Sequence, residues 1–359
     1  MVTQHPPSRH LLVVGGYGVI GTGIVGHGLA LPNWRITTVG RSRAPERLLD
    51  GRPTPRHVQA DLSRLEQASD AFTSLSDVTA MVFTAFVAEG HTTPVAPNVA
   101  LLANALDALK HVGAPLSRVV LMGGGKSYGA HLGSYKTPAK ERDPRIMGPI
   151  FYNDQEDTLW QRAARDGFGW TVLRPDGVIG PNFGSPMNML MGLAAFAAVS
   201  KELRVPLRFP GSLGAWQALH QATDADVLAQ AAFWALESEA ALGEVFNVTN
   251  GDNFRWQHLW PDIAAAFDMP AAAPQPMRLM EQMADKGPLW ASMVRKYDLR
   301  DTPWDRLASW PFVDGWLHIG NDMVQSTTKI RHAGFNGCID SHDSFVAAIA
   351  RLRAQKIVP

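Results

Sequence analysis

The chain has 359 residues, of which 46% are apolar and 18% charged, enough to bury a sizeable core and to exclude disorder as a whole. Lysine plus arginine equals aspartate plus glutamate at 33 each, which argues against nucleic acid or an anionic membrane as the main partner. The single cysteine, Cys338, excludes an internal disulfide framework and cysteine-rich metal sites, so no metal is expected. No apolar run is long enough for a bilayer, and the opening MVTQHPPSRH lacks the apolar core of a secretory signal. A cytoplasmic protein with a disordered arm over residues 1–9 is expected.

In chain order, residues 10–14 form an apolar run stopped by glycines and read as a buried strand. A helical pattern follows over 20–29. Strands are predicted at 34–39, 57–61, 80–84 and 119–122, with a helix over 98–111 whose Leu101, Leu102, Ala105, Leu106 and Leu109 share one face. Another helix closes over 159–165, before a sixth strand at 170–175. Strands alternating with helices at this spacing predict an α/β fold, a Rossmann-like doubly wound parallel sheet. After Pro175 the pattern changes: an apolar helix over 187–201, a short strand and turn at 207–211, a helix over 224–237 with Thr223 as its N-cap, and a strand at 245–248. From 256 to 316 the chain is rich in tryptophan, proline and methionine. The expected division is a cofactor-binding domain over 10–180, with 218–250 returning to the sheet, and a smaller, mainly helical C-terminal substrate lobe from 181–217 and 251–359.

Gly15, Gly18 and Gly21 follow the first strand and open the first helix, giving GxxGxxG in strand–turn–helix context. Glycine lets the backbone approach a pyrophosphate, and the helix N-terminus supplies free N–H groups. Tyr17, Val19 and Ile20 lie in the same loop. NAD binders place an acidic residue roughly 20 residues further on to accept from the ribose 2′-hydroxyl. That place reads Arg41-Ser42-Arg43, with no carboxylate. Arginine suits a 2′-phosphate, so NADP(H) is expected, held by Arg41 with Ser42 or Arg43 assisting. Asp61 and Leu62 would sit beside the adenine.

Short-chain dehydrogenases carry Tyr-x-x-x-Lys on one helix face. None of the five tyrosines here has lysine four residues later. Tyr152 opens the helix after the fifth strand, where such a tyrosine belongs, and Glu156 replaces the lysine. Lys126 follows three glycines at the carboxyl end of the fifth strand, where ligands bind in open α/β sheets. Lys126 and Tyr152 are therefore the candidate catalytic pair.

These residues match a family. Gly124–Tyr128 resembles the TG-x-K-H-Y segment of the progesterone 5β-reductase and iridoid synthase family, atypical extended short-chain dehydrogenases that reduce the carbon–carbon double bond of enones. Residues 151–157 resemble its N-F-Y-Y-x-x-E-D segment, with Tyr152 on the catalytic tyrosine. Residues 174–180 resemble H-R-P-x-x-I-F-G, and Ser185 to Asn188 with the following helix resemble its S-x-M-N helix. The resemblance implies further cofactor contacts at Thr84, Ala85, Pro175, Val178, Ser185 and Met187. It also implies substrate contacts at Tyr128, Leu132, Met187 and Phe312. Ser127 and Asn153 depart from the family's histidine and second tyrosine, and the stretch between Tyr128 and Met147 is altered, so steroid activity is not carried over. The implied activity is 1,4-reduction of a small apolar enal or enone, with no nucleic-acid or membrane partner and a homodimer left open. Carbonyl reduction, sugar epimerisation and a non-catalytic NADP sensor are the alternatives.

Overall fold

The computed structural model describes residues 9–88, 93–182 and 185–359. Most of the expected arm lies outside them, and Arg9 is already part of the first strand. Seven strands form one sheet: β1 (Arg9–Val14), β2 (Trp34–Gly40), β3 (Arg56–Gln59), β4 (Ala80–Phe83), β5 (Arg118–Met122), β6 (Gly169–Pro175) and β7 (Glu244–Val248). Their order is β3-β2-β1-β4-β5-β6-β7, and every pairing is parallel. The order reverses between β1 and β4, which opens a crevice at their carboxyl ends, the place where such sheets bind ligands. β1, β4 and β5 are almost wholly buried, which explains their continuous apolar runs.

Helices α1 (Val19–Gly28) and α6 (Ala225–Glu237) cover one face. Helices α2 (Leu65–Phe72), α3 (Val95–His111) and α4 (Phe151–Asp166) cover the other. α1 carries Gly21, Gly23, Gly26 and Gly28, poor helix formers, and packing holds it. A Cβ on Gly23 would stand 2.6 Å from the Ala225 carbonyl, and one on Gly28 2.8 Å from the Phe233 ring. The glycines let α1 and α6 approach closely.

α2 was not evident in the sequence. It is short and polar, and inserts only Ala68 and Phe72. The expected N-cap of α6 shifts by one residue: Asp224 caps it, accepting from the Asp226 N–H at 2.8 Å. Thr223 is unavailable because its hydroxyl, with one proton to donate, faces the carbonyls of Asp176 at 2.6 Å and Val248 at 2.9 Å instead.

A third core lies off the sheet. It is built on α5 (Met189–Glu202), α7 (Trp256–Ala266), α8 (Gly287–Tyr297), α9 (Trp310–Leu317) and α10 (Ser341–Ala354). Trp256, Trp260, Trp290 and Phe209 are fully buried there. Large aromatics bury much area each and so form a core from short helices. Among the described residues no helix is long and apolar enough to cross a membrane.

Candidate active site

The glycine loop sits at the carboxyl end of β1. Gly15 takes a left-handed φ of +82°, and a Cβ there would strike Thr84 Oγ1 at 2.8 Å and Ala85 at 3.0 Å. Thr84 and Ala85 thus stand against the loop, and the Thr84 hydroxyl reaches the carbonyls of Val14 and Gly15. A Cβ on Gly21 would lie 2.2 Å from the Gly15 carbonyl. Gly18 is different: a Cβ there meets nothing nearer than 3.7 Å. Its bareness keeps space open over the helix rather than serving internal packing. Gly18 is the N-cap of α1, no side chain caps that end, and no acidic residue stands in the first turn. The open cradle and uncapped N–H groups fit a dinucleotide pyrophosphate.

Asn182 completes the loop. Its amide donates to the Tyr17 carbonyl at 3.0 Å and the Thr22 hydroxyl at 2.9 Å. Its partners lie far back in the chain, so no local signal marks it. A Cβ on Gly180 would touch Val19, and Val178 packs in the same cluster as Tyr17 and Ile20. At the end of β2, Arg41, Ser42 and Arg43 are exposed. Asp61 is spent locally: its carboxylate accepts from the Ser63 N–H, which holds its pKa below the usual value, with Arg41 adding a smaller pull. Leu62 is buried among the residues under the sheet.

At the end of β5 the backbone turns through a short 3₁₀ segment, Gly125–Tyr128. α4 begins at Phe151 and brings Tyr152 against this turn. A Cβ on Gly124 would lie 3.1 Å from the Tyr152 hydroxyl, so glycine there makes room for the phenol, two residues before Lys126. Desolvation pushes the Tyr152 pKa up to about 12, leaving a neutral O–H donor at neutral pH. Lys126 is exposed, its pKa is lowered by the protein around it, and among the described residues no carboxylate pairs with it. His131 stands within its field: burial and the Lys126 ammonium both lower the imidazole's pKa.

Glu156, on the helix position where a lysine would be, is buried in an ion pair. It accepts from Arg174 Nε at 3.0 Å and from Arg174 Nη2 at 2.7 and 2.9 Å, and Arg145 adds a contact at 3.1 Å. That position therefore faces the sheet and serves structure. Tyr128, an expected substrate contact, is buried and hydrogen-bonded within the protein. Its ring is 7% exposed and its hydroxyl is spent, donating to Asn247 at 2.6 Å and accepting from Arg174 at 3.1 Å. It offers a substrate little. Leu132, another expected substrate contact, is 68% exposed. Met187 and Phe312 are half-buried on neighbouring segments, joined by the Ser309 N–H donating to the Pro186 carbonyl at 2.7 Å. Ser185 stands half-buried in the same stretch, and Pro175 is buried at the end of β6.

Beneath Gly125 lies a buried acid that the sequence did not single out. A Cβ on Gly125 would stand 2.9 Å from Gln325 Nε2 and 3.2 Å from Asp176 Oδ1. Burial pushes the Asp176 pKa up from its ordinary 3.8 to about 7. The unfolded chain has released this proton above pH 4 while the folded protein still holds it. Stability therefore falls as pH rises from about 4 to about 7 and stays lower above. Asp176→Asn removes that penalty. Its melting temperature relative to the wild type is expected to be more favourable at pH 8 than at pH 4.5; an equal difference at both would show that Asp176 does not titrate in this range.

The parallel sheet, with a glycine cradle at its carboxyl edge, defines a Rossmann-fold protein. The profile of the PRISE-like Rossmann-fold domain matches residues 56–359, and the chain belongs to that family. It is 33% identical over 362 residues to an (S)-8-oxocitronellyl enol synthase of Camptotheca acuminata, covering 94% of this chain and 91% of that protein. It is 32% identical over 360 residues to the 3-oxo-Delta(4,5)-steroid 5-beta-reductase of Arabidopsis thaliana, covering 94% and 91%. Among solved structures, the UDP-glucose 4-epimerase of Thermus thermophilus in complex with NAD aligns with a TM-score of 0.67 at 18% identity, over 96% of this chain and 99% of that one. A short-chain dehydrogenase/reductase superfamily protein from Agrobacterium tumefaciens with bound NAD gives 0.64 at 15%, over 97% and 98%. These structures share the fold.

Proposed function

We propose that the chain reduces the activated carbon–carbon double bond of small apolar enals or enones with NADPH. The observation that carries this reading is the Tyr152 hydroxyl packed on Gly124, at the root of the turn bearing Lys126. The glycine loop at Gly15, Gly18 and Gly21 would hold a reduced nicotinamide dinucleotide, which would supply the hydride for the substrate's β-carbon. The Tyr152 O–H donates to the carbonyl oxygen as negative charge gathers there, and Lys126 supports it electrostatically. The enolate is then protonated at its α-carbon by water. A phenol with a pKa pushed up to about 12 is suited to holding that oxygen rather than surrendering its proton, which favours this reaction over reduction of a simple ketone. The relatives named as an enol synthase and a steroid 5-beta-reductase support the same assignment. The exposed side chains of Arg41 and Arg43 support the phosphorylated cofactor.

The test compares NADPH consumption with an aliphatic enal and with the corresponding saturated aldehyde. Turnover of the enal to the saturated aldehyde is expected, with the saturated aldehyde left unreduced. Consumption only with the saturated aldehyde would make the protein a carbonyl reductase.

A further inference from the structure

β3 is an edge strand, and two of its side chains reach sideways beneath the loop that leaves β2. In the register of the pair, Thr38 lies beside His57 and Gly40 beside Gln59. Gln59 Nε2 donates to the Arg41 carbonyl at 2.9 Å, and His57 Nε2 stands 2.9 Å from the Ser42 carbonyl. A carbonyl only accepts, so Nε2 carries the ring proton. Two successive carbonyls of the loop are thus caught on the β3 side. Among the described residues, neither the Arg41 nor the Arg43 guanidinium has a hydrogen-bond or ion-pair partner in the protein. The Asp61 carboxylate, within the field of Arg41, is occupied by Ser63.

The arrangement also extends to the phosphate loop. The Thr38 hydroxyl stands 2.9 Å from His57 Nδ1 and 3.0 Å from the Tyr17 hydroxyl. The Tyr17 and His57 rings meet at 5.2 Å between centroids. One polar chain therefore runs from the glycine loop through β2 and β3 to residues 41–43. Gln59 is exposed, and an exposed side chain spent on one loop carbonyl does little for the core.

We propose that His57 and Gln59 are positioning residues for cofactor specificity, holding the backbone of residues 41–43 so that Arg41 and Arg43 present their guanidinium groups to a 2′-phosphate. The inference rests on the NADPH reading above. Ordering the loop beforehand spares that cost when the ligand arrives. NAD, which has no 2′-phosphate, gains nothing from this ordering.

The test measures dissociation constants of NADP and NAD by isothermal titration calorimetry on the wild type, Gln59→Ala, the double variant His57→Ala with Gln59→Ala, and His57→Gln, which keeps a donor. NADP binding is expected to weaken about tenfold in the double variant, with NAD binding unchanged. Gln59→Ala should show part of the loss, and His57→Gln should keep near-wild-type discrimination. Equal weakening of both cofactors, or an unchanged NADP-to-NAD ratio in a wild type that prefers NADP, would overturn the inference while leaving the NADPH reading in place. A wild type with no preference for NADP would remove that reading and the inference with it. Gln59→Ala, altered only at an exposed side chain, decides the matter if the double variant does not fold.

Discussion

Tyr152→Phe is expected to lower kcat for an activated enal by about 10²- to 10³-fold, the usual effect of removing one preorganised donor to a developing oxyanion. The ring stays in place: it packs on Phe151 at 4.2 Å between centroids and against Gly124, and phenylalanine keeps both contacts. The melting temperature and the affinity for NADPH should therefore stay close to wild type. Steady-state kinetics with calorimetric cofactor binding separate the effects. Unchanged turnover would remove the phenol from the chemistry, and a joint loss of folding and binding would make its role structural.

Glu156→Ala should have the largest effect on stability. Glu156 and Arg174 are 1% and 5% exposed, and the carboxylate holds the guanidinium through two of its nitrogens. Removing one partner of a buried ion pair costs about 3–5 kcal/mol, because the other charge stays behind without compensation. Arg174 would keep the Tyr128 hydroxyl at 3.1 Å and the ring face beneath its guanidinium, both neutral. Urea unfolding measures the loss. A change under about 1 kcal/mol would mean that Arg174 finds solvent or another acceptor. Glu156→Gln, which keeps the shape and one acceptor, should lose less.

The parallel sheet was legible because its inner strands are buried on both faces and read as unbroken apolar runs, as at Leu11–Val14 and Val119–Met122. The glycine loop was legible because its demands are local: Gly15 needs a positive φ, and Gly21 needs contact with the Gly15 carbonyl. Tyr152 and Lys126 could be picked out by their places at strand and helix ends. Residues whose partners are distant in sequence were opaque. Nothing near Glu156 in sequence announces Arg174, its partner on β6. Asn182, His57 and Gln59 sit in unremarkable stretches, and only the fold shows which carbonyls they hold. The bonding of Tyr128 was opaque for the same reason: nothing near it in sequence announces Asn247, a partner on β7. α2 escaped because a helix that inserts only two side chains leaves little periodicity.

The sheet draws on chain from both sides of the first passage through the lobe. β7 and α6 arrive after α5, yet β7 pairs along β6 and α6 supplies Val227, Leu228 and Phe233 to the core against α1. A fragment cut after residue 180 would leave that apolar surface bare to water. The helical lobe is therefore no detachable cassette. Grafting one from another protein would require two separate splices, each matched to an uninterrupted sheet, so point replacement within the lobe is the route this architecture favours.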